Sequence, residues 1–364
     1  MDTSEIDQVR NESSRFLMGH HRKRPHQMLT EIAASIAPDA TSDAYGQGQL
    51  ITDFEQEIAT LLGKEAAVFM PSGTMAQQIA LRIWAGRTGK HRVAFHPTCH
   101  LELFEQQGYR ELHHLQGVLV GNPAHMMTLA DLQAINQPLA ALLIELPQRE
   151  IGGQLPTWED LTAMTDWARA QGLHLHLDGA RLWQCHAFYQ RSYAEIAGLF
   201  ESVYVSFYKD LGGIAGAVLA GPKDFIAEAR VWQRRHGGNL YQLYPFVLAA
   251  KMGLHQHLPH MDTYVAKTQA IAAALTTAQL PHLAIVPNPP QTNMMHVFLR
   301  GEREAIMQAA LEASRTSGIF MVPGLQSTRL PDQFAFEWTV GAATLDVTDE
   351  EIVGFFRAIF AQTT

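Results

Sequence analysis

With 364 residues, 47% of them hydrophobic and 17% charged, the chain can bury a sizeable core, which excludes a disordered tail or a mini-protein and leaves one large domain or two smaller ones. A net charge of −9, with the one dense basic cluster at Arg22-Lys23-Arg24, argues against a broad nucleic-acid footprint. Two cysteines, Cys99 and Cys185, are too few for a disulfide framework or a structural zinc site and suit a reducing, cytoplasmic compartment, and no run approaches the ~18 apolar residues of a membrane helix.

In chain order, the first fifty residues read as a helical arm, with polar and turn residues from His20 to Gly46, that could cross to a partner subunit. Short apolar runs then predict buried strands at Ala66-Phe69, Arg92-Phe95, Gly117-Val120, Ala141-Leu146, Leu173-Leu177, Ser202-Phe207 and Gly216-Leu219. Amphipathic stretches such as Thr74-Trp84 and Thr157-Ala170 lie between many of them. This alternation predicts an α/β fold, a mostly parallel sheet with helices on both faces, over residues 51–257. After a helical Gln242-His257 the pattern changes. Strands are expected at His282-Val286, Met294-Phe298, Ile319-Val322 and Phe334-Val340, with helices at Arg303-Ser317 and Asp349-Ala361, giving a smaller α+β domain over 258–364. No fixed-period repeat or low-complexity tract occurs.

Ligands of an open parallel sheet sit beyond the carboxyl ends of its strands, so the residues just after each strand are the ones to question. Three such places carry chemistry. Pro71-Ser72-Gly73-Thr74 opens a helix, where backbone N–H groups, a glycine and hydroxyls make a phosphate cradle, although the same residues also serve as an ordinary helix cap. His174-Leu175-His176-Leu177-Asp178-Gly179-Ala180-Arg181 ends a strand in a carboxylate with an arginine three residues on, and such an aspartate can also only cap the next helix. In Ser206-Phe207-Tyr208-Lys209-Asp210-Leu211-Gly212-Gly213 a lysine leaves an aromatic strand; alone it would read as a solvated charge. Cradle, carboxylate and lysine together are what a fold needs to hold pyridoxal 5′-phosphate: the lysine as Schiff base, the aspartate on the ring nitrogen, the cradle on the phosphate.

These segments, with Tyr45-Gly46 and Leu62-Gly63-Lys64-Glu65-Ala66-Ala67-Val68-Phe69, resemble the threonine aldolase and β-eliminating lyase family of fold-type-I pyridoxal-phosphate enzymes, from about Tyr45 to Gly238 and more loosely beyond. The resemblance implies Lys209 as the cofactor-bearing lysine, Asp178 as the partner of the pyridine nitrogen, and Ser72, Gly73 and Thr74 as the phosphate cradle. It also implies Arg181 as a ligand of the substrate carboxylate within the cofactor site, and His100 as the imidazole that stacks on the cofactor. It further implies a homodimer or homotetramer acting on a small amino acid.

Several segments depart from the family. Its Ser-Asp-Thr segment has no counterpart, the region reading Phe16-Leu17-Met18-Gly19-His20-His21, and its Asn-Thr-His stretch is replaced by Pro147-Gln148-Arg149-Glu150. Its Gly-Gly-Gly-Met-Arg segment appears as Gly237-Gly238-Asn239-Leu240-Tyr241, and the second carboxylate-binding arginine is absent from Trp338-Thr339-Val340-Gly341-Ala342-Ala343. Arg149, just after the strand Ala141-Leu146, is the candidate replacement, with Arg234 and Arg235 as fallbacks; the alternative is that Arg149 only pairs with Glu150. No metal is expected: Pro97 interrupts the spacing of His96 and His100, and no nearby carboxylate completes a set with His255, His257 and His260. His174 and His176 share one strand face and read as structural.

The expected reaction is retro-aldol cleavage of a threonine-like β-hydroxy-α-amino acid to glycine and an aldehyde, with His100, or a water it orders, as the base on the β-hydroxyl. The alternatives are β-elimination, transamination or racemisation on the same cofactor, or a cofactor-binding regulator without catalysis.

Overall fold

The computed structural model describes residues 3–322 and 324–363. The chain divides into a larger unit, Lys23–Glu150 with Leu155–Pro259, and a smaller one comprising the residues up to Arg22, Ile151–Gln154 and the residues from His260 onward. This division differs from the expected breaks at 50 and 257. Residues before Arg22 do not share an arm with those after it, because Val9 and Leu17 are apolar and find burial in the smaller unit, where Leu17 O accepts from Trp338 Nε1 at 2.8 Å and from Thr344 Oγ1 at 3.1 Å. The helix Pro25–Ala34 instead buries Ile32 against Leu248 and Ala249 of the larger unit.

The larger unit is built on seven strands: β1 (Ala66–Met70), β2 (Arg92–Phe95), β3 (Gln116–Leu119), β4 (Ala141–Glu145), β5 (His174–Gly179), β6 (Ser202–Ser206) and β7 (Ala217–Gly221), in the order β1-β7-β6-β5-β4-β2-β3. Only β7 runs against its neighbours. Strands β1, β4, β6 and β7 are buried over most or all of their length, so both faces are covered, as their unbroken apolar runs require. The expected strands are all present within one or two residues. The shift that matters is at β5, which continues through Asp178 to Gly179, so Asp178 lies inside the ladder.

Helix α1 (Gly73–Thr88) follows β1. Ser72 Oγ caps it by accepting from Met75 N at 3.3 Å, and Gly89 ends it in the left-handed conformation at φ 66°. It buries Ala76, Ile79, Ala80, Ile83 and Trp84 against the sheet. Helices α2 (Trp158–Ala170), α3 (Lys223–Arg235) and α4 (Tyr244–His257) complete the main cover. Along β5, the residues His174, His176 and Asp178 share a face by strand alternation. Helix α1 reaches His174 and Asp178 directly and His176 through Ser202: Trp84 stacks on His174 at 4.1 Å and donates to Ser202 Oγ at 2.8 Å, His176 Nδ1 pairs with the same hydroxyl at 2.9 Å, and Gln77 reaches Asp178.

In the smaller unit, strands β8 (Leu283–Val286), β9 (Met294–Arg300) and β10 (Gln333–Thr339) form an antiparallel sheet with the two-residue strand Gln326–Ser327 at its edge beside β10. Ile319–Phe320 leaves that sheet to pair with Arg15–Phe16, which shortens the strand expected at 319–322. Among the described residues, no helix is long and apolar enough to cross a membrane.

Candidate active site

Strand register brings the site together. Glu145 on β4 faces Asp178 on β5, and Asp178 faces Tyr204 on β6, so three polar side chains stand in one row on one face of the sheet. All three are buried. Asp178 Oδ2 accepts from Gln77 Nε2 at 2.8 Å and Oδ1 from Ala180 N at 3.1 Å, which anchors its carboxylate. Gln77 Oε1 is buried with no partner of its own.

The start of α1 lies beside the same row. A Cβ on Gly73 would come within 1.9 Å of Tyr204 Oη, so only glycine lets the helix start approach this ring. Ser72, Gly73 and Thr74 thus form a close-set helix N-terminus, the arrangement that binds a phosphate. Tyr204 is in turn hydrogen-bonded to Tyr208, and burial raises the ionisation of both phenols above the usual range.

Lys209 leaves the end of β6 and is partly exposed, with Nζ 6.0 Å from the centre of the Tyr208 ring. Desolvation, and then the Arg181 charge, lower its pKa, while Asp178, Glu145 and Asp210 oppose them. A lysine held in this way is more readily neutral and nucleophilic than one in solution. Glu145 is pushed up to about 8 by burial and by the Asp178 charge, against hydrogen bonding from Arg149 N. Cys99 Sγ lies within 4.8 Å of oxygens of both acids, and burial first, then those acids, keep it as the thiol.

His100 opens a short helix, His100–Leu103, and its Nδ1 lies 2.9 Å from Glu105 Oε1. Glu105 is buried and its other oxygen accepts from Gln78 Nε2 at 3.2 Å. Phe104 packs 5.3 Å from the imidazole. Arg149 Nη1 donates to Glu150 Oε1 at 2.6 Å and its guanidinium lies 5.4 Å from the Phe104 ring centre. Arg234 and Arg235 are exposed at the end of α3, and Arg235 stacks on Trp232 at 4.5 Å. His96 uses both ring nitrogens on Thr98 and on the carbonyls of Asn122 and His125, while His255 pairs with Glu57 on the surface.

The family model of the beta-eliminating lyases matches residues 26–302. A solved chain from Listeria monocytogenes, provisionally assigned as an L-allo-threonine aldolase, is 41% identical, with a TM-score of 0.93 over 99% of both chains. The chain belongs to the beta-eliminating lyase family. An aldolase of Penicillium aethiopicum is 31% identical over 75% of this chain and 70% of its own. Low-specificity L-threonine aldolase 1 of Arabidopsis thaliana is 25% identical over 84% and 86%.

As a member of this family the protein is a lyase dependent on pyridoxal 5′-phosphate with the fold-type-I architecture. The residues present fit that cofactor: the cradle left open by Gly73 lies against Tyr204 of β6, whose neighbour β5 carries the buried carboxylate of Asp178, and the partly desolvated Lys209 follows β6. Four residues that the fold sets beside these segments were not singled out in the sequence: Gln77, Glu105, Glu145 and Tyr204. Glu145 did leave a signal, a carboxylate inside the apolar run Ala141–Leu146, and Gln77 stands one helical turn beyond Gly73.

Proposed function

We propose that this lyase cleaves a β-hydroxy-α-amino acid into glycine and an aldehyde by retro-aldol chemistry. The observation that carries the reading is the His100–Glu105 pair, an imidazole oriented by a buried carboxylate and available to take the proton of a β-hydroxyl. The aldolase descriptions of the Listeria, Penicillium and Arabidopsis relatives support it.

Pyridoxal phosphate, when bound, supplies an electron sink for the bond that breaks. Ser72, Gly73 and Thr74 would hold its phosphate, and Asp178, kept in place by Gln77, would offer its carboxylate to the ring nitrogen. Lys209, its pKa lowered by desolvation and by the Arg181 charge, would carry the cofactor and could exchange a proton with the substrate. Arg181 holds the substrate carboxylate. Arg149 spends Nη1 on Glu150, so Arg181 is taken as the principal ligand. His100 accepts the β-hydroxyl proton through the nitrogen that Glu105 does not bind.

The active unit in this reading is a homo-oligomer, dimer or tetramer, and sedimentation of the active species tests it; a catalytically active monomer refutes it. The free, buried thiols Cys99 and Cys185 fit a reducing cytoplasm. The deciding experiment incubates the protein with L-threonine and L-allo-threonine and identifies the products. Glycine and acetaldehyde in equal amounts are expected. Ammonia with a 2-oxo acid, or amino transfer without carbon–carbon cleavage, overturns the retro-aldol reading.

A further inference from the structure

Nothing in the proposed reaction uses Glu145, yet it stands opposite Asp178 in the ladder. Carboxylate oxygens of the two residues and Cys99 Sγ lie within 4.8 Å of one another, all three side chains being buried. Two ionised carboxylates at this separation in a dry interior repel strongly, so one of them keeps a proton. The hydrogen bonds decide which. Asp178 accepts from two donors at 2.8 and 3.1 Å, whereas both bonds to Glu145, from Arg149 N and Gln148 Nε2, are longer at 3.2 Å, and Gln148 Nε2 also serves Thr98 Oγ1 at 3.1 Å. The charged and titratable groups around Glu145 come from several elements: Asp178 on β5, Arg181 just beyond it, Lys209 after β6 and the Cys99 thiol before the His100 helix.

We propose that Glu145 is a positioning residue for the cofactor: it holds a proton beside Asp178, leaving a single negative charge for the ring nitrogen, and on losing that proton it adds a second charge that acts on the Lys209 nitrogen. This rests on the roles given above to Asp178 and Lys209. A second negative charge favours the protonated form of the nitrogen linking Lys209 to the cofactor. Loss of that proton, followed by visible absorbance, is therefore spread over a wider pH range than a one-proton curve, because the two sites titrate as a pair.

Glu145→Gln keeps the shape and one acceptor oxygen, gives up the acceptor used by the second donor, and is neutral at every pH. In cofactor-loaded protein it should narrow the absorbance transition to a one-proton curve and move its midpoint down, by on the order of one pH unit. Infrared spectra of the cofactor-free parent should contain the carbonyl stretch of a protonated carboxyl at pH 7, fading as the pH rises and missing from Glu145→Gln. Superimposable absorbance titrations of parent and variant, or no protonated-carboxyl band in the parent at pH 7, overturn the proposal. Should the variant fail to fold, absence of the band from the parent still overturns the proposal, and a band that is present is assigned by comparing the parent with Glu145→Met, since Glu55 is raised by burial too. A borohydride-fixed cofactor found on a lysine other than Lys209 would overturn the cofactor assignment instead, and the infrared band, read without cofactor, still decides whether Glu145 holds its proton.

Discussion

Replacing Gly73 by alanine tests how the phosphate cradle is built. A glycine at a helical position normally gains about 0.5–1 kcal/mol on becoming alanine. Here the new Cβ would lie 1.9 Å from Tyr204 Oη, 2.3 Å from Cζ and 2.7 Å from Cε2, each below any distance a real Cβ shows. The ring cannot swing aside cheaply, because Tyr204 is 2% exposed and its strand is paired on both sides, with β5 and β7. Overpacking of this kind costs ~1–3 kcal/mol, and a clash with three ring atoms belongs at the top of that range, so a net loss of about 2 kcal/mol is expected. Displacing the start of α1 also weakens cofactor binding, by about tenfold for each 1.4 kcal/mol of cradle geometry lost.

The assay is a denaturation midpoint on cofactor-free protein together with a fluorescence titration of pyridoxal phosphate. Second-site variants sharpen it. Tyr204→Phe leaves the Cζ and Cε2 contacts at 2.3 and 2.7 Å and should rescue little, whereas Tyr204→Leu removes all three atoms and should restore the midpoint of Gly73→Ala. A Gly73→Ala protein as stable and as tightly loaded as the parent, or full rescue by Tyr204→Phe, would refute the reasoning.

Purified protein loaded with cofactor should be yellow, and borohydride reduction with peptide mapping should place the pyridoxyl group on Lys209; Lys209→Ala should lose both colour and label. Arg181→Ala should weaken glycine binding, followed by its spectral change, roughly 30-fold or more, the ~2–5 kcal/mol of a truncated buried charge pair. Arg149→Ala should stay within about fivefold, because its partly exposed pair with Glu150 belongs to the class worth ~0–1 kcal/mol; equal losses in both variants would make Arg149 a second ligand after all. His176 is fully buried, and desolvation holds its pKa down at about 4. Between about pH 6.5 and 4 the unfolded chain binds a proton there that the folded chain does not, so stability is complete above that window and falls as the pH drops through it, by about 3 kcal/mol at most. Denaturation midpoints at pH 7 and 5 should differ less in His176→Asn than in the parent, and an unchanged difference would count against this account.

The strands, α1 and the three chemical segments at strand ends were legible in the amino-acid sequence because their causes are local. An unbroken apolar run makes a strand buried on both faces, Ser72 caps the helix it precedes, and a glycine beside a helix start permits close approach. The resemblance to a known family reached the cofactor, and the matched residues 26–302 carry it across most of the chain. What pairing decides was not legible. The facing of Glu145 and Asp178, and of Asp178 and Tyr204, follows from the register of strands far apart in the chain, and a shift of one residue would have turned those side chains to the other face. The pairing of Arg149 with Glu150, and the packing of Leu17 into the smaller unit while Ile32 packs into the larger, depend likewise on contacts that only the folded chain assembles. Local pattern therefore determined which residues could do chemistry, and tertiary register decided which of them share one buried, electrostatically coupled site.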